Sequence, residues 1–232
     1  MPAVVAFDLD DTLFSEWDYI RSGYRAVAKA VADATGADAD ELARIMTTYR
    51  PKGFEAVLHE TAGLPGADRF TVEGMIEMYR AHTPEIALRP GARETLEALR
   101  AVGATLVLIT DGSTRHQRTK LKALGLEEFF AGDRILVSEE TGGDKTTDVP
   151  WRLVRERFGS PGTRFFYVGD NLSKDFRLPN LAGWTTIMLR DTENTNVFPQ
   201  EPRAWTAENL PQYTIDSLSN LNNILLPCLQ HS

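Results

Sequence analysis

Short apolar runs, each closed by a polar or glycine-containing turn, recur at residues 3–9, 105–109, 134–137, 164–168 and 185–189, with 213–215 as a sixth candidate. Between them the apolar positions take a helical period over 91–102, 116–124, 149–158 and 173–181. Strands that alternate with helices imply βαβ crossovers and a parallel sheet. The runs at 105–109 and 164–168 are almost wholly apolar, as expected of strands covered by helices on both faces. The predicted fold class is therefore α/β, with a doubly wound parallel sheet. Such sheets bind ligands beyond the carboxyl ends of their strands. Asp8 and Asp10, then Thr110 and Asp111, then Asp170 stand at those ends.

The pattern changes between residues 15 and 88. No convincing strand is found there, and helical stretches are expected at 19–35, 39–49 and 72–82. Pro84 and the turn Arg89-Pro90-Gly91 mark the return to the alternating pattern, since proline and glycine punctuate helices. The expected organisation is a core domain from 1–14 and 89–232, with an α-helical insertion over 15–88.

The 232 residues suffice for one full core plus such an insertion. A hydrophobic content of 42% and a charged content of 25% are those of an ordinary globular protein. The net charge of −8 and pI near 5.1 argue against a sequence-independent grip on nucleic acid, which needs basic surfaces. A small anionic substrate would instead need local positive charge. No run approaches the ~20 apolar residues of a membrane span. Cys228 is the single cysteine, so no intrachain disulfide can form. An acidic residue after seven N-terminal positions, without a basic lead, is not the pattern of a signal peptide, and cytoplasmic residence is the default expectation.

Four segments carry candidate chemistry. Phe7-Asp8-Leu9-Asp10-Asp11-Thr12 places two carboxylates two residues apart at a strand end, where i and i+2 side chains face the same way. Asp8 could then serve as nucleophile and Asp10 as general acid and base toward one phosphoryl group; a solvated acidic turn is the alternative. Thr110 ends the next strand, where by itself a threonine is more often a capping or turn residue. Gly112 permits a tight turn that brings backbone N–H groups near an anion. Lys145 precedes a helix in Gly143-Asp144-Lys145-Thr146 and is a candidate cation. Lys120 and Lys122 are alternatives for the cation, although they lie in a helix better read as amphipathic and solvated. Finally, Gly169-Asp170-Asn171-Leu172-Ser173-Lys174-Asp175 follows an apolar strand, and Asn171 or Ser173 can cap the next helix. Asp8, Asp10, Asp170 and Asp175 would repel one another without a cation, which calls for a metal.

In this order, the four segments resemble the motifs of the haloacid dehalogenase superfamily of phosphohydrolases. The resemblance implies a Rossmann-like core with an inserted C1-type helical cap, and an aspartyl-phosphate formed at Asp8. It implies Asp10 as acid/base, Thr110, Asp111, Gly112 and Lys145 around the phosphate, and Mg²⁺ on Asp8, the Asp10 carbonyl and Asp170. Asp175 and Asn171 would stand behind those ligands. Thr146 departs from the family's pattern, in which proline commonly follows the lysine. The expected substrate is a small phosphorylated metabolite, with no nucleic-acid or membrane partner, on a monomer or homodimer. Alternatives are a phosphosugar mutase and a non-catalytic phosphate-binding module. Carbon–halogen hydrolysis is disfavoured, because it has no use for Asp10. Tyr19, Arg21, Tyr24, Arg25, Arg50, Lys52 and Arg80 of the insertion, with Phe14 and Trp17, are candidates for contacting the leaving group.

Overall fold

A computed structural model describes residues 2–200 and 205–230. By its internal contacts the chain divides into two compact units, one over 1–16 and 87–232, the other over Trp17–Ile86.

The Trp17–Ile86 unit is helical, with α1 (Glu16–Thr35), α2 (Ala39–Thr48), α3 (Gly53–Glu60) and α4 (Val72–Ala81). Helix α1 buries Tyr19, Ile20, Tyr24, Val27, Ala28 and Val31 at three- and four-residue spacing, the stripe of an amphipathic helix. Asp38 caps α2 by accepting from the Glu41 N–H at 2.8 Å, and Thr71 caps α4 by accepting from the Gly74 N–H at 3.1 Å. Helix α3 lies outside the helical stretches expected from the sequence. In the fold, Gly53 lets α3 approach the backbone of α2, since a Cβ on it would lie 2.5 Å from the Met46 carbonyl oxygen. Tyr19, Tyr24, Phe54, Tyr79 and His82 form an aromatic cluster inside this unit.

The other unit holds a six-stranded parallel sheet: β1 (Ala3–Phe7), β2 (Thr105–Thr110), β3 (Ile135–Val137), β4 (Arg164–Gly169), β5 (Thr185–Leu189) and β6 (Tyr213–Ile215). The strand order is β3-β2-β1-β4-β5-β6, so the winding reverses between β1 and β4. Every residue of β1 is buried, as a central strand between two helical layers requires. Val4 and Ala6 join Val107, Ile109, Leu136 and Tyr167 in one apolar cluster with Trp151 and Trp184. Phe7, next along the strand and so turned to the other face, meets Phe130 edge-on at 6.2 Å.

The connecting helices are α5 (Ala92–Ala101), α6 (Thr114–Ala123), α7 (Ser138–Thr141), α8 (Val149–Phe158), α9 (Arg177–Leu181) and α10 (Leu221–Gln230). Helix α9 begins later than the residue 173 expected. The intervening turns bring Asp175 inward, with its N–H donating to the Asn171 carbonyl at 2.9 Å. Among the described residues, no helix is long and apolar enough to cross a membrane.

Candidate active site

The reversal of winding puts the ends of β1 and β4 side by side, and the acidic residues stand on the loops leaving them. Strand β1 stops at Phe7, before the pair of carboxylates expected to share its extended geometry. The Asp8 N–H still donates to the Val168 carbonyl at 2.9 Å, so Asp8 sits at the last rung of the ladder. Beyond it the chain turns sharply, and Asp11 takes a left-handed backbone at φ 55°. The Asp11 carboxylate secures that turn by accepting from the N–H groups of Glu16 at 2.9 Å and Val197 at 2.7 Å. Asp8, Asp10, Asp111, Asp170, Lys174 and Phe198 line a cavity of about 160 Å³ at these strand ends.

Lys145 is buried beside them. Its Nζ lies 2.9 Å from Asp8 Oδ1 and 2.6 Å from Asp175 Oδ1. The backbone of Lys145 is fixed from both sides: Asp111 Oδ1 accepts from its N–H at 3.1 Å, and its carbonyl accepts from Trp151 Nε1 at 3.1 Å. The core tryptophan of α8 thereby places the lysine. Burial alone would lower the Lys145 pKa, but Asp175 and Asp8 outweigh it and hold the ammonium charged.

Asp175 has no lone-pair direction to spare. Oδ1 accepts from Tyr167 Oη at 3.1 Å as well as from Lys145, and Oδ2 accepts from the N–H groups of Asp170 at 3.0 Å and Asn171 at 2.8 Å. Gly169 makes the approach possible, because a Cβ there would lie 2.5 Å from Asp175 Oδ2. Asn171 is engaged locally, its Oδ1 accepting from Ser173 N–H and Oγ.

Asp170 differs. Ligand atoms of Asp8, Asp170 and Asp175 lie within 4.8 Å of one another, yet among the described residues Asp170 has no ion-pair partner. Its side-chain contacts are neutral donors, Thr12 Oγ1 at 3.2 Å and Asn196 Nδ2 at 2.8 Å. Burial first, then the charges of Asp175, Asp8 and Asp11, push its pKa well above the carboxylate range. Burial pushes Asp8 up to about 7, against the pull of Lys145. A buried carboxylate held by neutral donors, with a second at close range, fits a hard divalent cation. Asp8 and Asp170 are the side chains suited to hold it, since Asp175 is fully engaged.

Sequence reading missed the layer behind Asp10 and Thr110. Gln117 Nε2 donates to Asp10 Oδ2 at 2.7 Å and to Thr110 Oγ1, and lies 3.2 Å from the Asp111 carbonyl. Lys120 Nζ lies 2.6 Å from Asp10 Oδ1. The expectation of a solvated Lys120 is therefore corrected: it is 5% exposed. The signal was available, because Gln117, Lys120 and Leu121 share the buried stripe of α6, where a lysine needs a partner.

Two residues expected near the phosphate have partners within the protein. The Gly112 N–H is taken by Ser138 Oγ at 2.9 Å, because α7 starts directly beside the β2 loop. The Asp111 carboxylate is a strut between Lys145 N–H and Lys174 Nζ, the latter at 3.1 Å. Thr110 is 1% exposed at the end of β2.

In the helical unit, Tyr19 and Tyr24 are core aromatics, 5% and 7% exposed. Arg21 pairs with Asp18, Arg25 with Glu85 and Arg80 with Glu77. Arg21 and Arg50 stack on Trp17. Lys52 precedes α3 without a side-chain cap. In the sheet-bearing unit, Phe14 is fully buried, with Lys120 Nζ 5.8 Å from its ring centroid.

Residues 2–183 match the family model described as hydrolase, haloacid dehalogenase-like hydrolase. A ribulose-1,5-bisphosphate 5-phosphatase of Halopiger xanaduensis is 30% identical over 95% of this chain and 86% of its own length. A glyceraldehyde 3-phosphate phosphatase of Methanocaldococcus jannaschii is 28% identical over 94% of this chain and 97% of its own. The HAD-hydrolase YfnB of Bacillus subtilis, solved bound to magnesium, shares the fold with a TM-score of 0.63 at 21% identity, covering 97% of this chain and 98% of that one.

Proposed function

The chain belongs to the haloacid dehalogenase-like hydrolases, on their phosphatase side, and on that premise we propose that it is a Mg²⁺-dependent phosphomonoesterase of small phosphorylated metabolites. The observation that carries the reading is the unequal treatment of the buried carboxylates. Lys145 serves Asp8 and Asp175, while among the described residues Asp170 has neutral donors only.

Asp8 Oδ attacks the phosphorus of the ester, forming an aspartyl-phosphate as the bond from phosphorus to the ester oxygen breaks. Asp10 gives its proton to the departing alkoxide, then takes one from the water that attacks the same phosphorus. That second step releases inorganic phosphate and restores the Asp8 carboxylate. Lys145 offsets the negative charge gathered around Asp8, and the Thr110 hydroxyl donates to a phosphoryl oxygen. Gln117 orients both Thr110 and Asp10 from behind. Bound Mg²⁺ would supply charge neutralisation and orient the phosphoryl oxygens. The Trp17–Ile86 unit is assigned as the cap that selects the leaving group.

The two named relatives act on phosphorylated sugars or a triose phosphate, which supports a short phosphorylated carbohydrate as substrate here. The test is phosphate release over a panel of such esters with Mg²⁺, repeated with chelator and with Asp8→Asn. Release that persists in Asp8→Asn sinks the nucleophile assignment. Isomerised sugar phosphate in place of free phosphate would make the enzyme a mutase.

A further inference from the structure

The loop after β5 lies beyond the residues that match the family model, yet it is tied directly to the acidic centre. Asp191 organises it: Oδ1 accepts from the Thr195 N–H at 2.9 Å and Oδ2 from the Asn196 N–H at 2.8 Å. The Asp191 N–H donates to Gln200 Oε1 at 2.9 Å, closing the loop at its far end. Gln200 Nε2 in turn donates to the carbonyls of Asp170 and Leu189, both at 2.8 Å. The Val197 N–H holds Asp11 Oδ2 at 2.7 Å. The loop thus grips both acidic loops, the one after β1 and the one after β4.

Asn196 is its innermost residue, 7% exposed. Its Nδ2 donates to Asp170 Oδ2 at 2.8 Å, and its Oδ1 accepts from Arg89 Nη2 at 3.0 Å. An arginine cannot accept a hydrogen bond, so it fixes which way the amide faces and obliges Nδ2 to point at Asp170. Arg89 is steadied by Asp11 at 3.7 Å.

We propose that Asn196 is a positioning residue for the metal, holding the Asp170 carboxylate in one orientation through a neutral donor that leaves its charge for the cation. A lysine or arginine at this place would orient Asp170 equally well but would compete with the metal. The Asn196 amide orients without competing, and Thr12 does the same at the other oxygen. Partners of this kind behind a ligand typically change metal affinity by about 10–100-fold when removed.

The proposal rests on the metal-dependent reading above, and the experiment separates the two. Mg²⁺ binding is measured by calorimetry without substrate, and the Mg²⁺ concentration for half-maximal phosphate release is measured alongside, for the wild type, Asn196→Ala and Asp191→Ala. The expected result for Asn196→Ala is a Mg²⁺ affinity weakened about 10–100-fold, with kcat recovered to near the wild-type value at saturating Mg²⁺ and KM for the ester little changed. Asp191→Ala, which loosens the loop without touching Asp170, should weaken Mg²⁺ binding in the same direction by less, and it carries the test if Asn196→Ala does not fold. A wild type that binds no Mg²⁺ or Mn²⁺ overturns the metal reading and this proposal with it. A wild type that binds the metal, beside a folded variant of either kind that binds it equally well, overturns this proposal alone.

Discussion

Lys145 Nζ lies 2.6 Å from Asp175 Oδ1, in a buried ion pair whose members are 1% and 0% exposed. Because Asp175 also accepts from Tyr167 and from two backbone N–H groups, it is the anchor of the pair, and the lysine is aimed past it at Asp8. Their division of labour leads to the first expectation.

Lys145→Met removes the shared cation and leaves Asp8 and Asp175 facing each other in a buried site. Stability of the metal-free protein should fall by about 3–5 kcal/mol, the usual result of breaking a buried pair from one side. Phosphate release should drop at least about 10²-fold. Urea unfolding in chelator and steady-state kinetics measure the two effects; unchanged stability would show that the pair is not the anchor described.

Asp170→Asn should do the opposite to stability. The folded pKa of Asp170 is raised by burial and neighbouring carboxylates, so from about pH 4, its unfolded value, the folded state holds a proton that the unfolded state has lost. Wild-type stability therefore falls as pH rises through that window, and the full penalty stands above the folded pKa. In the variant, Oδ1 becomes an N–H donor that the Thr12 hydroxyl can accept, while the other oxygen still serves Asn196. Metal-free Asp170→Asn should be more stable than the wild type at pH 8 by about 1–4 kcal/mol, with no advantage below pH 4. Added Mg²⁺ should raise the Tm of the wild type and leave that of the variant in place. Thermal melts across pH with chelator or Mg²⁺ decide it.

Lys120→Met and Gln117→Leu both remove support from Asp10, and the second also frees Thr110. Each should lower kcat by about 10²-fold, in the range of acid–base contributions, with a smaller change in KM. A change confined to KM would assign these residues to substrate binding instead.

Gly23→Ala tests the packing of the helical unit. In an exposed helix alanine stabilises relative to glycine by about 1 kcal/mol, but here the new Cβ would lie 2.4 Å from the Tyr79 ring. Overpacking of about 1–3 kcal/mol should win, and a lowered Tm is the expected result.

The sequence by itself determined the strands, their alternation with helices and the four acidic, hydroxyl and lysine segments at the strand ends. It could do so because apolar period and chain order are local properties, and a fully buried strand such as β1 has no polar residue to blur its signal. Lys145 was legible only through the resemblance, which implies a lysine at the start of a core helix. Tertiary structure alone decided who partners whom. Gln117 and Lys120 meet Asp10 across more than a hundred residues of chain, and Asn196 reaches Asp170 from a loop without any motif. It also set the Gly112 N–H against Ser138 and the Asp111 carboxylate between Lys145 and Lys174. The physical reason is common to all of these: burial forces each polar group to find a partner, and the partner is whichever group the sheet's winding brings near.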